Sequence, residues 1–570
     1  MNRTTSSKYV LITGLSVLLG ACGGGNTSSL SSSPSTSATP ASFGSATVNM
    51  TDAPGDFSHV WITVTKIAFH SSASQTWSVS DSSWQTYTLP TPVTLDLASL
   101  DNGALNKVFS SIQLPTGTYR QIRLFLDGPA SALDGSAQAI ADSNGNALQW
   151  NDQVERVENG QSVEYALNVP FAAAGVRLTG TFNIVANSTL NLTVDVNLNK
   201  SVVAYHHGKA RGYILNPWLR YYDMSQVGAI TGSVDPTQLC LVTNHQPVAS
   251  NSCAYNIVVK AEAVDSTQGR YASLRTTMVD PTTGSFTLYP VAVNDINGNP
   301  IDYHVLVRGR NMETMVIKHV PVTAGTTPTQ GATTLPKLSL TTLAQTGYSA
   351  LFASPLTPLT SGYAVFMQTD PIEKVPYSVR FRSTDPATGN FFDPVALENS
   401  GLLTTTYATS GLVFAPVVPK EGSGNYSVGV NDYGDYLMST NFTTLTAPTS
   451  GSSATFGFTA PTQGSNSANG TITGTIALGS GVANKYNHLM LYVADASHVV
   501  TSQDLSTQLS SSTINYTQSG LSTGNPWDVY YVYLRLWNDT TKAWGEMVPV
   551  NGVANLNQQS SAMLNVSVNQ

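Results

Sequence analysis

Charge is what this sequence has least of. Asp, Glu, Lys and Arg supply 11% of its residues, against about 25% in an average soluble protein. The 26 basic side chains are outnumbered by 34 acidic ones, so a nucleic-acid partner has no electrostatic support and none is expected. Long apolar runs are also missing. The one near the start, Tyr9 to Gly20, has 12 residues, and nothing later approaches the 18 or so that a membrane-spanning helix needs. There are three cysteines and no C-x-x-C. H-E-x-x-H, the P-loop, G-x-S-x-G and the dinucleotide fingerprint are absent too, which removes the enzyme classes that short motifs reveal. Nine histidines are scattered along the chain, and only His206 and His207 adjoin. Neighbours in a strand point to opposite faces, so this pair is poorly placed to share an ion.

What remains is a chain of 570 residues, 41% hydrophobic. That is enough apolar material for several cores, and it excludes disorder along the whole length. Apolar and polar residues alternate in Val60 to His70, Arg120 to Leu126 and Leu190 to Leu198, which reads as strands. Pro54-Gly55, Asn102-Gly103, Asn144-Gly145, Asn159-Gly160 and Asn297-Gly298 punctuate the chain as turns. The best helix candidate is short, Asp101 to Phe109, with Leu105, Val108 and Phe109 at helical spacing. The expected fold class is all-β, as several consecutive antiparallel β-sandwich domains of Ig or prealbumin type.

The N-terminus reads as an address. Arg3 and Lys8 precede the apolar run, which is too short to span a bilayer and suits a signal-peptide core. It ends in Leu19-Gly20-Ala21-Cys22, which resembles a bacterial lipobox. That resemblance implies that residues 1–21 are a lipoprotein signal peptide and that Cys22 is acylated, with palmitate, and becomes the new N-terminus. Several acyl chains bind a membrane far more firmly than one. Residue 23 is Gly rather than Asp, which by resemblance to Gram-negative lipoprotein sorting points to the outer membrane. Residues 22–44 form a tether; 15 of the 22 residues from 23 to 44 are Ser, Thr or Gly, a flexible coil reaching about 25 Å.

Segment 45–224 carries TDAPGDFSHVWITVTKIAFH, TLDLASLDNG, LPTGTYRQIRLFL and LTVDVNLNKSVV in that order. Together these resemble the bacterial lipoprotein family catalogued as domain of unknown function four-three-eight-two, whose activity is unassigned, so the resemblance carries over no catalytic residue. Segment 227–340 runs from GAITGSV through DPTTGSFTLYPV to YHVLVRGRNMETMVIKHVPV and is similar to the carboxypeptidase-regulatory type of sandwich, an accessory module without catalysis. In that likeness Gly232, Gly284, Ser285 and Phe286 are structural landmarks. GTITGTIAL at 470 repeats the pattern of 228–234, so 469–570 reads as a C-terminal sandwich. Segment 341–450 is β-rich and resembles nothing nameable.

Once Cys22 is assigned to lipid, Cys240 and Cys253 remain. Export makes a disulfide the expected state, worth roughly 3 kcal/mol for a loop of this size. The rival is a metal site with His245 as third ligand. Asp52 and Asp56 bracket Ala-Pro-Gly and are the candidate metal carboxylates, for calcium, which takes six to eight oxygens. The competing reading is that each fixes the turn by accepting backbone N–H groups. Asp96 and Asp195 are in other strands and would be the ones to complete a cluster. No other cofactor is expected. Asp142-Ser-Asn144-Gly-Asn146 and Asp295-Ile-Asn297-Gly298-Asn299 look faintly like calcium loops but lack the sixth-position Gly and the closing Glu, so hairpin turns are the reading. In YYVYLRLW, Tyr531, Tyr533, Arg535 and Trp537 share one face, a candidate glycan-stacking row. Tyr530, Val532, Leu534 and Leu536 face the other way as core. The competing reading is that protein covers the row.

The expected function is a non-catalytic cell-envelope lipoprotein, bound to membrane through its N-terminal lipid and presenting sandwich modules to a surface protein or polysaccharide. The alternative is a surface hydrolase of glycans or peptides with a carboxylate pair that no motif reveals.

Overall fold

His59–His70 shows why this chain folds as sheets. Val60, Ile62 and Val64 point to one side and are buried, as strand alternation requires. Trp61 and Thr63 on the other side are buried as well, so the strand is covered on both faces. The computed structural model describes residues 42–570 apart from scattered single positions and short segments, chief among them 248–252, 342–346, 353–361, 384–394, 419–425, 433–442, 446–452 and 457–466. Residues 1–41, with Cys22, lie outside the described residues. The fold is all-β in several sheets, and the described helices are one-turn pieces of three or four residues. Among the described residues no helix is long and apolar enough to cross a membrane.

In the first module, a four-stranded sheet runs Leu219–Asp223, Thr189–Asn197, Phe43–Ala53 and Asn106–Pro115. The pair Phe43–Ala53 with Thr189–Asn197 is parallel. It packs on a larger sheet built around His59–His70 and Gly117–Leu126, and apolar residues of both sheets share one core. The helix expected at Asp101 to Phe109 is not there. Asn102 and Gly103 form a turn with positive φ, and strand Asn106–Pro115 follows. Val48 faces Phe109 while Asn49 faces Lys107, so Val108 is a bulge residue. The bulge buries two consecutive apolar side chains, which imitates helical spacing in the sequence.

A three-stranded sheet follows, Ser285–Ala292, Val227–Ser233 and Thr333–Thr334. Beside it lies a ten-stranded sheet that does not stop at residue 340. Thr314–Val320 pairs in parallel with Leu402–Thr406, and Tyr271 pairs with Tyr377. Segments 227–340 and 341–450, separate by sequence pattern, thus share one hydrogen-bonded sheet.

The C-terminal module has its own core between two sheets centred on Ser467–Leu478 and on Val529–Asn538. The G-x-I-T-G repeat takes equivalent places in both modules. Val227–Ser233 and Ser467–Leu478 each pair antiparallel on one edge and parallel on the other. The second glycine lies opposite an aromatic ring in each: Gly232 faces Phe286 and Gly474 faces Tyr516. A Cβ there would come within 2.4 Å of the Phe286 ring and 2.7 Å of the Tyr516 ring. Close ring approach fixes Gly232, while at Gly474 the Leu564 backbone carbonyl lies closer still than the ring.

Candidate functional site

The side chains that the sequence marks for chemistry gather where modules meet. Asp52 closes strand Phe43–Ala53 almost at its end and is fully buried. Its Oδ1 accepts the Leu198 amide at 3.3 Å. Burial drives its pKa well above the usual carboxylate range, the neighbouring Asp195 adds to this, and Arg275 opposes it. Asp56 lies outside the described residues. Asp195 does approach Asp52, but the cation in reach is a side chain from the next module. Arg275, on strand Arg270–Met278, donates to Asp195 Oδ1 at 2.5 Å and to Thr51 Oγ1 at 2.8 Å. A guanidinium is thus the cation beside Asp195 and Thr51. Asp96 is elsewhere, accepting from the Val60 amide and lying 2.7 Å from His59 Nδ1.

This joint has further fastenings. Tyr222 donates to the Leu274 carbonyl at 2.8 Å, and the Asn102 amide donates to Thr277 Oγ1 at 3.0 Å. Burial pushes the Tyr222 hydroxyl up to about 12. Gly103 reaches the three-stranded sheet, where a Cβ would meet Thr287 Cγ2 at 2.8 Å. Nearby, the first module's Lys200 sits 4.4 Å from the ring centres of both Trp218 and Phe381, Phe381 belonging to strand Pro376–Ser383. Inside the ten-stranded sheet Lys260 donates to the carbonyls of Ser378 and Val379 at 2.6 and 2.9 Å, and Glu262 accepts the Ser378 amide at 3.1 Å. Burial lowers the Lys260 pKa and raises that of Glu262. Joining strands with buried charge ties the partners to one geometry, since either charge left alone is costly.

The aromatic row seals a second joint. Tyr533 and Trp537 are buried and belong to the first module's core cluster, with Met490, Tyr492 and Ala494 from the adjoining strand His488–Ala494. Arg535 between them is 1% exposed, and Tyr531 packs at the cluster's edge. The row is therefore no exposed glycan platform: the first module covers it. Tyr530, Val532, Leu534 and Leu536 fill the C-terminal core, as alternation requires.

Cys240 and Cys253 are joined by a disulfide, with Cα atoms 5.1 Å apart. The bond occupies both sulfurs and so removes the metal alternative; His245 lies outside the described residues. The two calcium-like loops are hairpin turns. Asp142 Oδ1 accepts the amides of Asn144 and Asn146, and Asp295 Oδ1 those of Asn297 and Asn299. Glu155 and Glu164 join Asp142 within 4.8 Å. Ser143 bonds Glu155, while Asn144 and Gln149 bond Glu164. Beside this cluster opens a cleft of about 580 Å³. His59 is its titratable lining group, and no carboxylate is among the described residues lining it. The Asp96 bond raises the His59 pKa.

One cluster was missed in the sequence. Asp302, His304 and His319 offer ligand atoms within 4.8 Å of one another. His304 is 1% exposed, and burial lowers its pKa to about 4.

The fold and its joints define a class: an all-β chain of sandwich modules welded through buried charges and aromatic rings. Residues 43–217, within the first module, match the model of the family described as Domain of unknown function (DUF4382). No curated protein matches the chain. Among solved structures, the Bacillus anthracis TIE protein aligns over 91% of this chain and 73% of its own, with 8% identity and a TM-score of 0.16. The Corynebacterium diphtheriae major pilin SpaA aligns over 60% and 100%, with 10% identity and a TM-score of 0.11. A putative adhesin from Bacteroides ovatus aligns over 55% and 99%, with 7% identity and a TM-score of 0.14. Likenesses this distant carry no argument about function.

Proposed function

We propose that the protein is a non-catalytic lipoprotein of the bacterial cell envelope. Fatty acids on Cys22 hold it in the outer membrane, and its welded modules present or space a binding surface for a cell-surface protein or polysaccharide. One observation supports this above the others. Asp52, Asp195, Arg275 and the aromatic row, which could have served a reaction or a ligand, are buried in joints between modules. Among the described residues lining the cleft there is no carboxylate. A chain built this way keeps its modules at fixed spacing.

The test is metabolic labelling of expressing cells with a palmitate analogue, followed by fractionation. The wild type should carry label and sediment with outer membranes, and Cys22→Ser should be unlabelled and soluble. A wild-type protein without label, or a Cys22→Ser protein that fractionates unchanged, contradicts the anchor. Hydrolysis of envelope glycan or peptide by the purified chain, abolished by Glu164→Gln, would replace the non-catalytic reading with the hydrolase one.

A further inference from the structure

Strand Tyr303–Arg310 begins with Asp302 just before it and His304 two residues on. The neighbouring strand Thr314–Val320 runs antiparallel, and its register slips at this point: Tyr303 faces Val320 while Val305 faces Ile317. Lys318 and His319 therefore share the space opposite His304, and the slip brings His319 alongside its ring. The two imidazoles meet edge to face with centres 5.0 Å apart. Asp302 Oδ2 lies 2.9 Å from His319 Nδ1 and 3.8 Å from His304 Nε2.

His304 supplies an observation independent of this clustering. Its Nδ1 is 2.7 Å from the Tyr377 hydroxyl, and Tyr377 donates its own proton to Glu373 Oε2 at 2.8 Å. The tyrosine oxygen can only accept, so Nδ1 carries the hydrogen and Nε2 carries the lone pair. That nitrogen is buried and has no hydrogen-bond partner. It is aimed at the space between Asp302 and His319, whose side chains are 63% and 57% exposed. A buried acceptor without a donor is costly. A cation arriving from solvent would satisfy it, and the Tyr377–Glu373–Lys318 chain behind it fixes the ring as the outer shell of a metal site does.

We propose that Asp302, His304 and His319 form a mononuclear site for a divalent transition-metal ion of the zinc class. Two imidazoles and one carboxylate suit Zn²⁺ or Co²⁺, whereas Ca²⁺ and Mg²⁺ prefer oxygen-only ligands. With bonds of about 2.0–2.2 Å, donors around a tetrahedral ion stand roughly 3.4 Å apart. The 2.9 and 3.8 Å separations bracket that value, so small side-chain shifts admit the ion. It displaces the proton between Asp302 and His319 and leaves a fourth position for water. Its structural effect is to clamp the strand pair where the register slips.

The experiment uses the full chain without a histidine tag, stripped with chelator. Zn²⁺ is titrated in by calorimetry, and Co²⁺ is followed through its visible absorption. One equivalent of each should bind, Zn²⁺ should displace Co²⁺, and millimolar Ca²⁺ should not compete. His319→Ala and Asp302→Asn change exposed groups and should leave the fold intact while weakening Zn²⁺ at least tenfold. His304→Gln, should it fold, abolishes the cobalt absorption. Absence of stoichiometric Zn²⁺ binding, or binding unchanged in both His319→Ala and Asp302→Asn, overturns the proposal.

Discussion

Replacing Arg275 with Met tests the first joint. Arg275 is 1% exposed and bonds Asp195 and Thr51 of the first module. Met keeps most of its volume and removes its charge. Two carboxyl groups, Asp195 and Asp52, then lack their shared cation. Removing one partner of a buried pair costs about 3–5 kcal/mol, so a loss near 4 kcal/mol is expected at pH 7. The pH dependence carries a sign. Burial raises the pKa of both carboxyls, and Arg275 opposes that rise. A carboxyl whose pKa is higher folded than unfolded makes stability fall as pH rises from the ordinary value near 4 up to the folded one. Without Arg275 the folded values climb further and widen that window. Acidification then relieves the variant more than the wild type, by about 1.4 kcal/mol for each unit a group gains. Urea unfolding followed by tryptophan fluorescence should show a smaller deficit at pH 5 than at pH 7. Asp195→Asn combined with Arg275→Met should recover part of the loss, because the stranded charge is gone. A deficit below about 1 kcal/mol at pH 7, or a double variant no better than the single, would mean that Arg275 does not neutralise these carboxylates in the folded chain.

Trp537→Ala should cost about 3–5 kcal/mol of thermal stability, as for any large buried ring, and leave binding on a glycan array unchanged; a glycan whose capture disappears selectively would restore the platform reading. Gly474→Ala should destabilise by about 1–3 kcal/mol through overpacking, since its Cβ would lie 1.7 Å from the Leu564 carbonyl; a neutral effect in thermal unfolding would mean that the strand relaxes freely there.

Alternation made His59–His70 and the core face of Val529–Asn538 legible in sequence, because one strand's period is a local property. The bulge at Val108 hid a strand behind helical spacing. The faces of Tyr533 and Trp537 could be assigned, but not what covers them, since the covering residues lie hundreds of positions away in the first module. The shared sheet across residue 340 was hidden for the same reason: its joining pairs are parallel and distant in sequence. Asp302-Tyr-His304 was a readable signal, two ligating residues two positions apart at the start of a strand. His319 was not, because the register slip that delivers it has no local signature.

Joints that stay closed in solution make the aromatic row an internal seal. Hydroxyl-radical footprinting of the intact chain measures this directly. Tyr533 and Trp537 should be protected as strongly as Tyr530 in the C-terminal core. Oxidation of Trp537 at the rate of an exposed ring, with Tyr530 still protected, would mean that the modules stand apart and the row is free to bind.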